Sequence, residues 1–155
     1  MEIRHLEAGE LGLLTELFEY NDPAEMIAQV SREINAGDVD IFVMFDGERP
    51  VGELHAAYRS KDKRTVFGRR AYLFAFRVHQ EYQGRGLGKE LLRYVLRDLA
   101  GRGYREFTVG VEDDNDKAKH IYESFGFTEL IARKYEEYQG EGYEFGLYLK
   151  TGADL

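Results

Sequence analysis

Between Gln83 and Gly88 the chain reads QGRGLG, three glycines at alternate positions. They stand between an apolar run of strand character, AYLFAF, and LLRYVLRDLA, whose apolar residues recur at helical spacing. A strand, a glycine turn and a helix start therefore follow one another here. Without Cβ atoms to hold a ligand off the main chain, a helix start presents unpaired N–H groups and the positive end of a dipole, which suits a phosphate. Arg85 and Lys89 add two cations to the same stretch.

Two familiar phosphate loops do not fit. Aligning the GK of GxxxxGK[ST] with Gly88 and Lys89 puts Gln83 where the first glycine belongs and Glu90 where the magnesium-binding hydroxyl belongs. A GxGxxG dinucleotide fingerprint starting at Gly84 demands glycine at Lys89, and repeated parallel βαβ units are missing from the pattern.

The rest of the chain sets the turn in a mixed architecture. MEIRHL alternates as a strand, and GELGLLTELFEY puts Leu11, Leu14, Leu17 and Phe18 on one face of a predicted helix. Asp22 and Pro23 predict a capped helix that carries Met26, Ile27, Val30 and Ile34 and stops at Gly37. DIFVMFDGERPVGELHAAYRS reads as two strands joined at Asp46–Gly47–Glu48–Arg49. KDKRTVFGRR is a polar connection to a third strand, about Ala71 to His79, which feeds the glycine turn and an amphipathic helix ended by Gly101 and Gly103. REFTVGV is a strand, NDKAKHIYESFGF a short helix, and FTELIARKYEEY and YEFGLYLK a final strand pair around QGEG. The predicted order is βααβββαβαββ: a largely antiparallel sheet flanked by helices, with one parallel crossover.

Composition narrows the partners. At 155 residues and 43% hydrophobic content, one core and one domain are expected. A net charge of −8 argues against nucleic acid, so an anionic ligand needs a local basic patch. With no cysteine, disulfides, thiolate metal sites and a cysteine nucleophile are excluded. The four histidines lack HxxxH spacing, so no metal is predicted, and the three serines lack a GxSxG setting. No apolar run approaches the roughly 20 residues of a membrane helix and MEIRHLEAGE is not a signal peptide, so a cytoplasmic protein with no membrane partner is expected.

The glycine turn does match QxxGxG, as Gln83, Gly84, Arg85, Gly86, Leu87 and Gly88, and some thirty residues later NDKAKHIYESFGF supplies Asn115, Ala118, Tyr122 and the Gly126–Phe127 pair. Together with the element order, these segments resemble the GCN5-related N-acetyltransferase (GNAT) family over nearly the whole chain. The resemblance implies an α/β fold, a mixed, mostly antiparallel β-sheet flanked by helices with a central splayed parallel strand pair, and one acetyltransferase domain over residues 1–155. It implies acetyl-CoA as cosubstrate, its pantetheine arm between the strands Ala71–His79 and Arg105–Val111. Main-chain atoms of Phe76 and Val78 would meet the pantetheine amides. The N–H groups of Gln83, Gly84, Arg85, Gly86, Leu87, Gly88 and Lys89 would meet the pyrophosphate, and Asn115 would contact the cofactor while capping its helix.

Tyr122 is the position that similar proteins often use as general acid toward the departing thiolate of CoA. The glutamates that relatives often carry as general base are replaced here by Tyr72 and Gly110. Glu53 is the favoured base, with His79, His55 and Glu112 as substitutes acting through water. The activity implied is N-acetyl transfer to a primary amine, of a small molecule or a peptide or protein, by direct attack in a ternary complex. The alternative is a non-catalytic acyl-CoA-binding or regulatory module, which the missing glutamates keep open. RSKDKRTVFGRR, with six cations and one acid, reads as a charged hairpin connection. The acidic, aromatic EEYQGEGYE favours a cationic acceptor. Many similar proteins form homodimers, and no residue pattern decides that point here.

Overall fold

The computed structural model describes residues 1–152. A single sheet holds the strands β1 (Glu2–His5), β2 (Val39–Asp46), β3 (Arg49–Ala57), β4 (Arg70–Val78), β5 (Glu106–Val111), β6 (Glu129–Tyr138) and β7 (Glu141–Thr151). Their spatial order is β1-β2-β3-β4-β5-β7-β6. Every neighbouring pair is antiparallel except β4 and β5. Three α-helices pack around the sheet: α1 (Pro23–Asn35), α2 (Leu87–Gly101) and α3 (Asp116–Ser124). The expected mixed fold with one central parallel pair is the observed one.

Each local choice has a visible cause. Asp22 accepts a hydrogen bond from the Glu25 N–H at 3.1 Å and Pro23 opens α1, whose own N–H would have been unpaired there in any case. β2 alternates: Phe42 and Met44 join a core with Leu54, Leu73 and the α2 leucines Leu91, Leu92, Leu96 and Leu99. Ile41, Val43 and Phe45 join a second core with Leu11 and Leu14 on the opposite face. Truncating any of these sealed leucines to alanine costs about 2–5 kcal/mol.

One element differs from its prediction. The segment expected as an α-helix over GELGLLTELFEY is a 3₁₀ helix from Ala8 to Glu16. Residues three apart eclipse in that geometry, so Leu11 and Leu14 both reach the core, while Gly9 and Gly12 weaken any α-helix at this place. Leu17 and Phe18 lie beyond it and are only partly buried.

The sheet opens in its middle. Between β3 and β4, Glu53 pairs with Arg77 and His55 with Phe74, so two steps on β3 face three on β4. The extra residue bulges at Ala75, whose φ of 53° is in the left-handed region. A non-glycine residue held there costs on the order of 1–3 kcal/mol, which the surrounding sheet must offset. Parallel pairing of β4 with β5 runs from Arg70–Glu106 to Leu73–Val109 and ends there. Beyond that point the strands part.

Candidate functional site

The gap continues into a cavity of about 1700 Å³ that reaches from the glycine turn to the α1 side of the sheet. At one end lie Gln83, Gly84, Gly86, Leu87, Gly88 and Lys89, with Phe76 and Val78 from β4. The glycines act in two ways. Gly84 and Gly86 have φ values of 79° and 76°, a conformation that L side chains rarely adopt, and Gly86 is the N-cap of α2 with no side chain capping it. Gly88, inside α2, instead packs against β4, where a Cβ would stand at ordinary contact distance, 3.4 Å from Phe76 Cζ and 3.6 Å from Val78 Cγ2. Gln83 ties the turn to the strand by donating from Nε2 to the Val78 carbonyl at 3.0 Å.

This end meets the requirements of a diphosphate: left-handed glycines, an uncapped helix start and the Lys89 cation. Arg85 is not brought to the lining. Its guanidinium lies 4.9 Å from the Tyr82 ring centroid and donates to the Glu81 carbonyl at 3.2 Å.

Tyr122 projects from α3 into the middle of the cavity, 7% exposed, with ring centroids 6.0 Å from Phe76 and 5.6 Å from Phe127. Burial, and secondarily Tyr72, pushes its phenol well above the ordinary value, so it stays protonated and can donate. Asn115 caps α3, its side chain accepting from the Ala118 N–H at 3.1 Å, and it also lines the cavity.

On the α1 side, Tyr72 stacks on Phe74 with centroids 5.5 Å apart, and burial pushes its hydroxyl up to about 12. Gly110, on β5, has no room for a side chain because Phe145 fills the space. Glu53 is fully sealed and is not itself part of the lining. His55 stands in the lining, its Nε2 2.5 Å from Glu53 Oε1, and Arg77 Nη1 approaches the same oxygen at 3.5 Å. Glu112 also lines the cavity. His79 does not: its Nδ1 accepts from the Glu81 N–H at 3.2 Å, and Arg49 lies 3.4 Å from its Nε2.

Several lining residues escaped the sequence. Arg64, from the supposed plain connection, hydrogen-bonds Glu136 and pairs with Asp62 at 3.2 Å, 5.3 Å from the Tyr72 ring and 5.6 Å from that of Phe145. Arg77 lies 3.9 Å from the Phe18 ring centroid. Tyr20 is pushed up to about 12, by burial first and by the Glu53 charge second. A lone cation inside the apolar AYLFAFRV was the one available signal for Arg77. Among the described residues no group of three or more acidic or histidine side chains can hold a metal, and no helix is long and apolar enough to cross a membrane.

The sequence matches the acetyltransferase (GNAT) family over residues 10–127. Mycothiol acetyltransferases of Corynebacterium efficiens and Corynebacterium glutamicum are each 30% identical over 102 residues, 66% of this chain. The matched segment spans only 31% and 32% of those two longer proteins. Among solved structures, the ribosomal-protein-alanine N-acetyltransferase of Brucella melitensis superposes with a TM-score of 0.76 at 17% identity, covering 97% of this chain and 99% of that one. The yncA structure of Salmonella typhimurium, solved with its cofactor acetyl-CoA, gives 0.71 at 19%, covering 97% and 92%. A point variant of the Vibrio cholerae spermidine N-acetyltransferase gives 0.76 at 19%, covering 97% and 95%. At these identities the structures establish the fold, and the family match establishes the kinship: the chain belongs to the acetyltransferase (GNAT) family.

Proposed function

We propose that this chain is an acetyl-CoA-dependent N-acetyltransferase that acetylates a primary amine by direct attack within a ternary complex. The observation that carries the reading is a single cavity joining a diphosphate-type glycine turn, an unpaired strand edge and a buried tyrosine to a second mouth under α1. Acetyl-CoA supplies the activated thioester. The chain's own residues do the rest. The α2 start and Lys89 hold the diphosphate, and the β4 edge around Phe76 orients the pantetheine arm. Tyr122 donates a hydrogen bond to the leaving sulfur. Its raised pKa makes full proton transfer uphill, so it acts chiefly by stabilising negative charge on that sulfur as the charge develops.

Arg64 offsets Glu136 at the second mouth, whereas Asp22, the N-cap of α1, and Glu25 and Glu33 on α1 leave that side acidic, which favours a cationic acceptor. Without a cysteine anywhere in the chain, a thioester on the enzyme is closed as a route, which favours direct attack.

Thermal unfolding with acetyl-CoA, against NADH and ATP as controls, tests the cofactor: at ~100 times Kd a ligand adds about 2.7 kcal/mol to native stability. Thiol release with a panel of primary amines then tests the chemistry. A shift with acetyl-CoA and no turnover with any amine points to an acyl-CoA-binding module. No shift at all overturns the reading.

A further inference from the structure

The proposed reaction needs a base, because an alkylamine with a pKa near ~10 is a free nucleophile in only about one molecule per 10³ at neutral pH. The two strand positions where similar proteins often place a glutamate hold Tyr72 and Gly110, and Phe145 closes the second to any side chain. One strand over, β3 carries Glu53 and His55 on the same face of the sheet, with Nε2 of the imidazole 2.5 Å from Glu53 Oε1. The carboxylate is fully sealed and its Oε2 has no partner, whereas His55 lines the cavity and pairs across the β4 bulge with Phe74, ring centroids 5.2 Å apart.

From this arrangement we infer that His55 is the general base of the site and Glu53 its positioning residue. The inference rests on the N-acetyltransferase reading. Glu53 accepts from Nε2–H, which fixes the tautomer and leaves the Nδ1 lone pair as the acceptor. Nδ1 has no hydrogen-bond partner among the described residues and is not one of the sealed side-chain atoms without a hydrogen bond, which are Glu53 Oε2, Arg64 Nε and Arg77 Nη1. In the step assigned to it, an N–H bond of the bound ammonium breaks, the electron pair stays on the amine nitrogen, and the proton passes to Nδ1. The imidazolium so formed is held against Glu53 until it returns the proton to water.

The charges around His55 are compatible with that step. Glu53 lies on its own strand, Arg77 reaches the same carboxylate from β4 at 3.5 Å, and the Glu33 carboxylate acts on the imidazole from α1. Tyr20, before α1, feels both Glu53 and Arg77, and the β2 neighbour, Ile41, is apolar.

The decisive experiment pairs kinetics with ¹⁵N NMR of the imidazole. In the unaltered chain, neutral His55 is expected as the Nε2–H tautomer, a measurement that does not depend on any variant folding. His55→Gln is expected to lower kcat by ~10²- to 10⁴-fold toward an alkylammonium acceptor, while the acetyl-CoA thermal shift is kept. The same variant should lose less than tenfold toward a hydrazide or an aniline, whose nitrogen is already uncharged at assay pH. Glu53→Gln should mix the tautomers and lower kcat with little change in KM for acetyl-CoA. An Nδ1–H tautomer, an unchanged kcat in His55→Gln, or equal losses toward charged and uncharged acceptors overturns the assignment. Wild-type protein that binds acetyl-CoA and acetylates no amine overturns the parent reading instead, and this role with it.

Discussion

Phe145 occupies the space that any side chain on Gly110 would need: a Cβ built there would lie 2.7 Å from its Cδ2 and 3.3 Å from the Tyr72 hydroxyl. The glycine is thus the complement of an aromatic wall from β4 and β7. Installing the glutamate that similar proteins often carry, as Gly110→Glu, should destabilise the chain by about 1–3 kcal/mol through overpacking and bring no gain in kcat. Denaturant unfolding and steady-state kinetics on the same variant check both halves.

Tyr122→Phe separates chemistry from packing. The ring contacts with Phe76 and Phe127 survive the change, so stability and the acetyl-CoA thermal shift should be nearly unaltered. If the hydroxyl stabilises the leaving sulfur, kcat should drop by ~10- to 10⁴-fold. Unchanged turnover would remove that role.

The glycine turn makes a contrast between neighbours. Gly86→Ala forces a methyl onto a left-handed residue and should cost about 1–2 kcal/mol and weaken acetyl-CoA binding. Gly88→Ala sits in α2 with ordinary contacts at 3.4 and 3.6 Å, and helix propensity favours alanine by up to ~1 kcal/mol, so its Tm should hold or rise. Differential scanning calorimetry of the two variants, with and without acetyl-CoA, reads the difference.

Arg85 and Lys89 divide in the same manner. With its guanidinium on Tyr82 and Glu81, Arg85 should be replaceable by alanine with the acetyl-CoA affinity intact, whereas Lys89→Ala should weaken it several-fold, more at low salt. Titration calorimetry at two ionic strengths checks the ranking.

Near the amino terminus, Glu10 takes a bidentate contact from Arg4 at 2.9 and 2.7 Å and accepts from the Glu7 N–H at 3.0 Å. The Arg4 hydrogen bonds, then the Glu7 one, lower its carboxyl to about 2. Because the folded pKa is depressed, the pair stabilises the fold fully above the ordinary carboxylate range and loses its effect as pH falls toward about 2. The pair is partly exposed, so Glu10→Gln should cost only ~0.5–1 kcal/mol at neutral pH, and wild type and variant should converge near pH 2. Thermal unfolding across that range tests it.

Most of the fold was legible because its signals are local. Asp22–Pro23, the turn Asp46–Gly47–Glu48–Arg49 between β2 and β3, and the QxxGxG stretch each specify their own element, and each is where the pattern puts it. The 3₁₀ helix was not legible, since Leu11 and Leu14 suit both helical periods and tertiary packing chose between them. In the cavity, the glycine-turn end was readable because it is one contiguous segment. The end beside α1 was not, because it is assembled by pairings distant in sequence: Arg64 reaches Glu136, and His55 meets Phe74 only through a bulge that no residue type announces. Glu53 stood out as a carboxylate in a strand, yet only the folded chain shows it sealed, with its partner His55 in the cavity lining.

The early end of β4–β5 pairing, at Leu73 and Val109, gives the sheet an edge in its interior. Exposed edges invite other strands and are ordinarily blunted or covered, but this one lines a cavity inside the fold. On the proposed acetyl-CoA reading, the pantetheine arm, carrying amides of its own, would serve as a substitute strand along this edge. Amide exchange along Phe74–Val78 should then slow on addition of acetyl-CoA.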